Sequence, residues 1–319
     1  MKASVNIIGK LDILQRRFKI SALIVAVVKK FSDDQGNFFA LALGWYGFMS
    51  VYPLLLILVT ILSALGDKVL GMGIVHLLHR FPVVGAQFST NDSRKLSGNI
   101  LGLMVGIIAL IYGSLGVAKV LQKSFYHIWN IPRMKKRPLM QRLGRNVLTL
   151  CILGSVFLLN ALASSFSVAD TKHILLTVMI LIGILIINIC GYYIIFLIES
   201  PDKKLTGNYW PGAIVAGTLF TAMTTVGAGL VEHELTHSSE TYGAFAQVIG
   251  VVTFLLIVSK VTIYSSELNS VVGNKLFPRS IGKANPTYAD RKTYELLIQE
   301  QKAIANQEIR ITYNEKLHR

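Results

Sequence analysis

Residues His233-Glu234-Leu235-Thr236-His237 set two imidazoles four positions apart with a carboxylate between them. On a helix, i and i+4 side chains share a face, so this spacing can hold a zinc ion with Glu234 as the general base of a hydrolase. Such a centre also needs a third ligand and an open coordination position. Glu267 is tempting by sequence separation, but the apolar helix between them carries it about 35–40 Å away at 1.5 Å per residue. His76, His79 and His173 are the other histidines that the topology below places on the same side as His233 and His237. A composite metal site or a pH-responsive histidine cluster is therefore the second reading of the motif. The first is plainer: Ser238-Ser239 end a membrane-spanning helix there, and the histidines cap it. Peptidase chemistry ranks last, so no catalytic residue and no cofactor are expected, with zinc at the outer histidines the sole candidate.

The elements that must position these residues are apolar. Of 319 residues, 52% are hydrophobic and 15% charged, against about 25% charged in soluble domains. That composition predicts a membrane protein. The net charge of +15 suits either nucleic acid or the basic loops of a polytopic protein, and its distribution decides for the loops. Cys151 and Cys190 both fall inside apolar runs, where neither a disulfide of an exported domain nor a metal pair is expected.

Six stretches are long and apolar enough to span: 38–65, 100–119, 143–167, 173–198, 208–231 and 242–268. The expected fold is all-α, a polytopic membrane protein with six transmembrane helices. Alternate loops hold 25 and five Lys and Arg residues, so both termini are predicted cytoplasmic and loops 66–99, 168–172 and 232–241 face outward. The chain divides into a cytoplasmic and interfacial segment 1–37, a membrane domain 38–272 and a cytoplasmic tail 273–319. In the first, "ISALIVAVV" is too short to cross about 30 Å of hydrocarbon and is flanked by Arg and Lys, which predicts an interfacial helix. In the tail, a helix is predicted from Tyr288 to about Arg310, a solvated face or homo-oligomer contact rather than a nucleic-acid surface. After the second span, "AKVLQKSFYHIWNIPRMKKRP" reads as an amphipathic cytoplasmic extension with Tyr126 and Trp129 at the interface and Pro132 ending the helix.

Within the spans, Gly98, Gly102 and Gly106 recur every four residues and predict a close helix seam. Pro53 removes a backbone donor and predicts a kink near Met49, so that Tyr46, Ser50 and Pro53 either pack deeply or border a cavity. Asn160, Asn188, Gln247, Lys260 and Glu267 are the polar exceptions to the apolar runs. Lys260 and Glu267, seven apart, share a helix face; snorkelling to the interface is the plain reading and a polar cytoplasmic cavity the sharper one.

Several runs carry a family resemblance: "FFALALGWYGFMSVYPLLLILVTILSALG", "LQKSFYHIWNIPRMKKRP", "NYWPGAIVAGTLF" and "TYGAFAQVIGVVTFLLIVSKVTIYSSELNSVV". Over roughly residues 20–275 the chain resembles the YihY/BrkB family of bacterial inner-membrane proteins. The specific matches are Tyr46, Ser50 and Pro53; Trp129 and Pro132; Pro211-Gly212-Ala213; Tyr242-Gly243; and Glu267-Leu268-Asn269. Gln247, Lys260 and the His-Glu motif depart from the pattern. The resemblance implies a six-span helical fold in the inner membrane. Family members carry ribonuclease BN, virulence or serum-resistance labels, and one branch, YhjD, is linked to export of lipopolysaccharide precursors.

RNA hydrolysis would need clustered acid/base or metal-binding groups on the cytoplasmic side, where the sequence offers only the scattered Asp33, Asp34, Asp202, His127 and His318. The leading expectation is a transporter or flippase-like carrier of a lipid or lipid-linked amphiphile, with membrane lipids and their anionic headgroups as partners. Tyr46, Ser50, Pro53, Gln247, Lys260 and Glu267 are its candidate cavity residues. A non-transporting envelope scaffold is the alternative, a zinc-dependent membrane hydrolase through His233 and His237 a further one, and a small-solute channel follows.

Overall fold

A computed structural model of the chain describes residues 12, 15, 17–65, 100–132, 138–169, 174–200, 208–237, 240–281, 286–302, 304 and 307–312. Every regular element among them is a helix: α1 (Lys19–Asp33), α2 (Gly36–Leu65), α3 (Ile100–Ile128), α4 (Leu139–Ala169), α5 (Ile174–Glu199), α6 (Trp210–His237), α7 (Glu240–Gly273) and α8 (Tyr288–Glu300). From α2 to α7 the helices run 26 to 34 residues, more than the roughly 20 that cross a bilayer. Leu175–Glu199 and Val248–Gly273 are long and apolar enough to span by length and composition, yet only 28% of the most apolar window of each is buried. A soluble protein would bury such a surface; here Leu175, Met179, Ile182 and Ile186 of α5 all point outward.

The helices pack as a ring. α2 lies against α3 and α7, α6 against α7 and α5, α4 against α5, and α3 closes onto α4. Backbones approach closely where side chains vanish. A Cβ at Gly116 of α3 would lie 2.1 Å from the Tyr46 ring of α2, and one at Gly212 of α6 would lie 2.2 Å from the carbonyl oxygen of Ser265 on α7. A larger residue at Gly116 would displace the Tyr46 ring, and one at Gly212 would press α6 against the α7 backbone. The seam of α3 on α2 thus runs through Gly116 among the described residues; Gly98 lies outside them, as do the surroundings of Gly102 and Gly106.

The core gathers at one end of the ring, where α3 and α5 finish and α2 and α6 begin. Phe39, Phe125, Trp129, Phe196, Tyr209 and Ile263 interlock there, with Trp129 edge-on to Tyr209 at 5.8 Å. The aromatics expected at an interface are therefore buried: Trp129 is 4% exposed and Tyr126 8%. The reason is local. Asn130 takes φ 50 and its N–H donates to the His127 carbonyl, so the chain turns under the bundle rather than continuing along a membrane surface.

α1 and the segment after α7 belong to this end. Ala26 and Val27 of α1 pack on Val271 and Leu276, while Ile20, Ile24 and Val28 stay exposed on the opposite face. Arg279 is fully buried, with Nε donating to Asp290 at 2.9 Å and Nη2 forming an ion pair with Asp33 at 2.8 Å. Asp290 also closes a capping box with Thr287 at the start of α8. The tail helix ends at Glu300, ten residues before the predicted Arg310. A negative charge at a helix C-terminus is disfavoured by the dipole, and Glu300 is held there by a tertiary partner, His127.

Candidate functional site

Three of the polar groupings among the described residues bear on a site. The first is a cavity of about 680 Å³ at the core end, walled by Asp33 at the end of α1, Phe38 and Phe39 of α2, Lys123 and His127 of α3, and Glu300 of α8. Its volume is that of a small-molecule pocket. His127 Nδ1 and Glu300 Oε1 are 2.7 Å apart, each side chain largely shielded from solvent. Burial pushes the imidazole down, but the hydrogen bond and charge of Glu300, with the charge of Asp34 nearby, carry its pKa above the ordinary value. The hydroxyl of Tyr126, another wall residue, is buried without a hydrogen-bond partner. A buried hydroxyl left so is costly unless something fills the space beside it.

The second grouping lies deeper. Lys30 of α1, Asp34 after it and Glu267 of α7 are 0%, 1% and 0% exposed. The Lys30 ammonium is hydrogen-bonded to Asp34, lies 3.1 Å from Glu267 Oε2, and donates to the Ile128 carbonyl at 2.8 Å. Ser270 donates to the same carbonyl at 3.0 Å. Burial pushes Lys30 down, and the two carboxylates more than offset this, so its pKa ends above the usual value. Burial also raises Asp34, against the opposing pull of Lys30.

The third links the helices of the ring. Asn160 of α4 donates to Asn188 of α5 at 2.9 Å, and Asn188 donates to Thr221 of α6 at 2.9 Å. These polar exceptions satisfy one another across helix seams, which is how amides persist within apolar bundles.

The residues proposed from sequence distribute unevenly over these groupings. Glu267 reaches the buried ionic cluster, but Lys260 is exposed, so the two do not line one cavity. Their shared helix face is enclosed by α1 near Glu267 and open near Lys260. Tyr46 and Ser50 pack against α3 at Gly116 and Gly113, and Ser50 donates to the Gly47 carbonyl at 2.8 Å; they form a seam. The side chains of Pro53 and Gln247 lie outside the described residues. α6 stays helical through His237, which puts His233 and His237 on one helix, but their side chains, like all of His76, His79 and His173, lie outside the described part. Among the described residues no group of three or more His, Cys, Asp or Glu could hold a metal.

Asp33, Asp34 and His127, scattered in the sequence, converge: Asp33 and His127 line one cavity, and the His127 charge acts on Asp34. Sequence reasoning passed over Lys30, Arg279, Asp290 and Glu300. A signal did exist for Lys30, since Lys30 and Asp34 are an i,i+4 pair at the end of an apolar stretch. The resemblance motifs meet as well: the Gly212 N–H donates to Asn269 Oδ1 at 2.7 Å, joining "PGA" of α6 to "ELN" of α7.

A helical bundle that turns apolar side chains outward and gathers its buried charges at one end is a membrane protein. The chain belongs to the virulence factor BrkB family, whose profile matches residues 27–287. That range begins within α1 and passes α7, so Lys30, Asp34, Glu267 and Arg279 lie inside it, while Asp290 and Glu300 lie beyond its end. Neither the curated proteins nor the solved structures give a match.

Proposed function

We propose that this protein is a non-enzymatic carrier of a lipid or lipid-linked amphiphile in the bacterial inner membrane. In this reading α2 to α7 each cross the bilayer and both termini are cytoplasmic. The ring order of six long helices and the unequal distribution of Lys and Arg among alternate loops support that topology. The observation that carries the functional reading is the cavity at the basic end. It sets the Phe38 and Phe39 rings beside Lys123, His127 and the unpartnered Tyr126 hydroxyl. An apolar wall next to Lys123, the His127–Glu300 pair, Asp33 and a hydrogen-bonding hydroxyl matches an amphiphile whose headgroup carries charge and hydrogen-bonding groups. A lipopolysaccharide precursor is one molecule of that chemistry.

The test is reconstitution into liposomes with a headgroup-accessibility assay. Wild type should change the accessibility of an anionic lipid, and Tyr126→Phe and His127→Ala should slow it. If wild type leaves lipid asymmetry untouched across anionic headgroups, the carrier reading fails. The envelope-scaffold reading draws on the Asn160–Asn188–Thr221 hydrogen bonds, which tie α4, α5 and α6 together; it predicts an envelope defect on deletion with no lipid movement in liposomes.

A further inference from the structure

The cluster of Lys30, Asp34 and Glu267 does not balance its charge. One ammonium faces two carboxyl groups, all three wholly enclosed. Lys30 has three N–H donors; it hydrogen-bonds Asp34 and the Ile128 carbonyl and lies 3.1 Å from Glu267 Oε2 as an ion pair. Asp34 Oδ1 and both oxygens of Glu267 are buried with no hydrogen-bond partner. The two carboxyl groups converge on the one ammonium, Asp34 hydrogen-bonded to it and Glu267 Oε2 3.1 Å from it. Two buried carboxylates brought to one cation repel unless one of them holds a proton, and an uncompensated buried charge is strongly unfavourable.

Among the described residues the neighbouring groups supply no second cation in contact. Lys30 comes from α1, and Asp34 from the turn after it. His127 acts on Asp34 from the end of α3 and is itself paired with Glu300 of α8. α2 carries no Asp, Glu, His, Lys or Arg, and α6 none before Glu232. Tyr264 of α7 stacks on Phe31 at 3.8 Å as an apolar wall. No described group of three or more acidic, His or Cys ligands exists to hold a metal ion instead.

We propose that Asp34 and Glu267 share one exchangeable proton, forming a proton-binding site that is reached from the cavity by way of Glu300 and His127. Asp34 adjoins Asp33, which lines that cavity. A proton arriving at the site forms an O–H bond on one carboxylate and leaves the trio neutral; its departure restores one net negative charge against Lys30. Titration therefore belongs to the pair as a unit. Use of the site to drive cargo rests on the carrier reading above, whereas the site itself does not.

Infrared spectroscopy of the full chain in lipid nanodiscs at neutral pH tests this. Wild type should show the carbonyl stretch of a buried protonated carboxylic acid, shifting on transfer to D2O. Glu267→Gln and Asp34→Asn should each abolish that band, because a single carboxylate then balances Lys30. Lys30→Met should increase it. Absence of the band in wild type, its survival in both carboxyl variants, or its appearance only when sodium and potassium are removed would overturn the proposal; the last outcome would mean a metal cation fills the site. The wild-type measurement decides even where a variant fails to fold. A band with the expected variant behaviour, together with no lipid movement under an imposed pH gradient, would uphold the site and remove the carrier reading.

Discussion

Lys30 and Glu267 come from opposite ends of the chain and meet 3.1 Å apart, both fully excluded from solvent. Their contact fastens α1 to α7 beneath the ring. It also determines what happens when either charge is removed, because a buried charge without its partner costs far more than an exposed one.

Lys30→Met should therefore destabilise the protein by about 3–5 kcal/mol, measured by denaturation in detergent. The double variant Lys30→Met/Glu267→Gln should recover only part of that loss, because Asp34 stays buried without its cation. A cycle showing simple additivity would mean that the two charges do not interact.

Gly212→Ala places a methyl group against the Ser265 carbonyl and the Asn269 side chain. Separation of α6 from α7 should cost about 1–3 kcal/mol and lower the thermal midpoint. Gly154→Ala, where nothing lies within 4 Å of the added carbon, is the matched control and should be neutral or slightly stabilising.

The His127–Glu300 pair gives a pH dependence of defined sign. The imidazole pKa is raised in the folded state from its ordinary 6.5. Its contribution to stability is then complete below pH 6.5 and is lost as pH rises through the folded value. Stability of wild type relative to His127→Gln, measured across neutral and mildly alkaline pH, should fall over that window. A difference that grows with pH would show that the imidazole is not held as a cation by Glu300.

Asp290 acts in the opposite direction. Burial would raise its pKa, but the N–H groups of Ser280 and Thr287 and the Arg279 guanidinium hold it well below the usual carboxylate range. Its contribution is present above the ordinary 3.8 and is lost as pH falls through the lower folded value. Asp290→Asn at neutral pH should loosen α8 and speed proteolytic cleavage in residues 282–287. Thr287→Ala, which removes the cap and the hydroxyl's bond to the Pro278 carbonyl, should cost about 0.5–2 kcal/mol.

The sequence alone determined that this chain is helical and belongs to a membrane, because hydropathy is a local property: runs such as "ILLTVMILIGILIINICGYYIIFLIE" have no other place for so much apolar surface. It also carried the family resemblance, and the structure joins two of those motifs at Gly212 and Asn269. Partnership between charges was not legible. Lys30 in "VVKKFSDD" reads like a snorkelling residue, and Glu267 like a residue at the end of a span. Whether such a side chain reaches water or another charge depends on which helices pack beside it, and only the closed ring with α1 and α8 beneath it decides that. Lys260 and Glu267 make the same point from the other side: helical periodicity put them on one face, while tertiary packing buried one and left the other exposed.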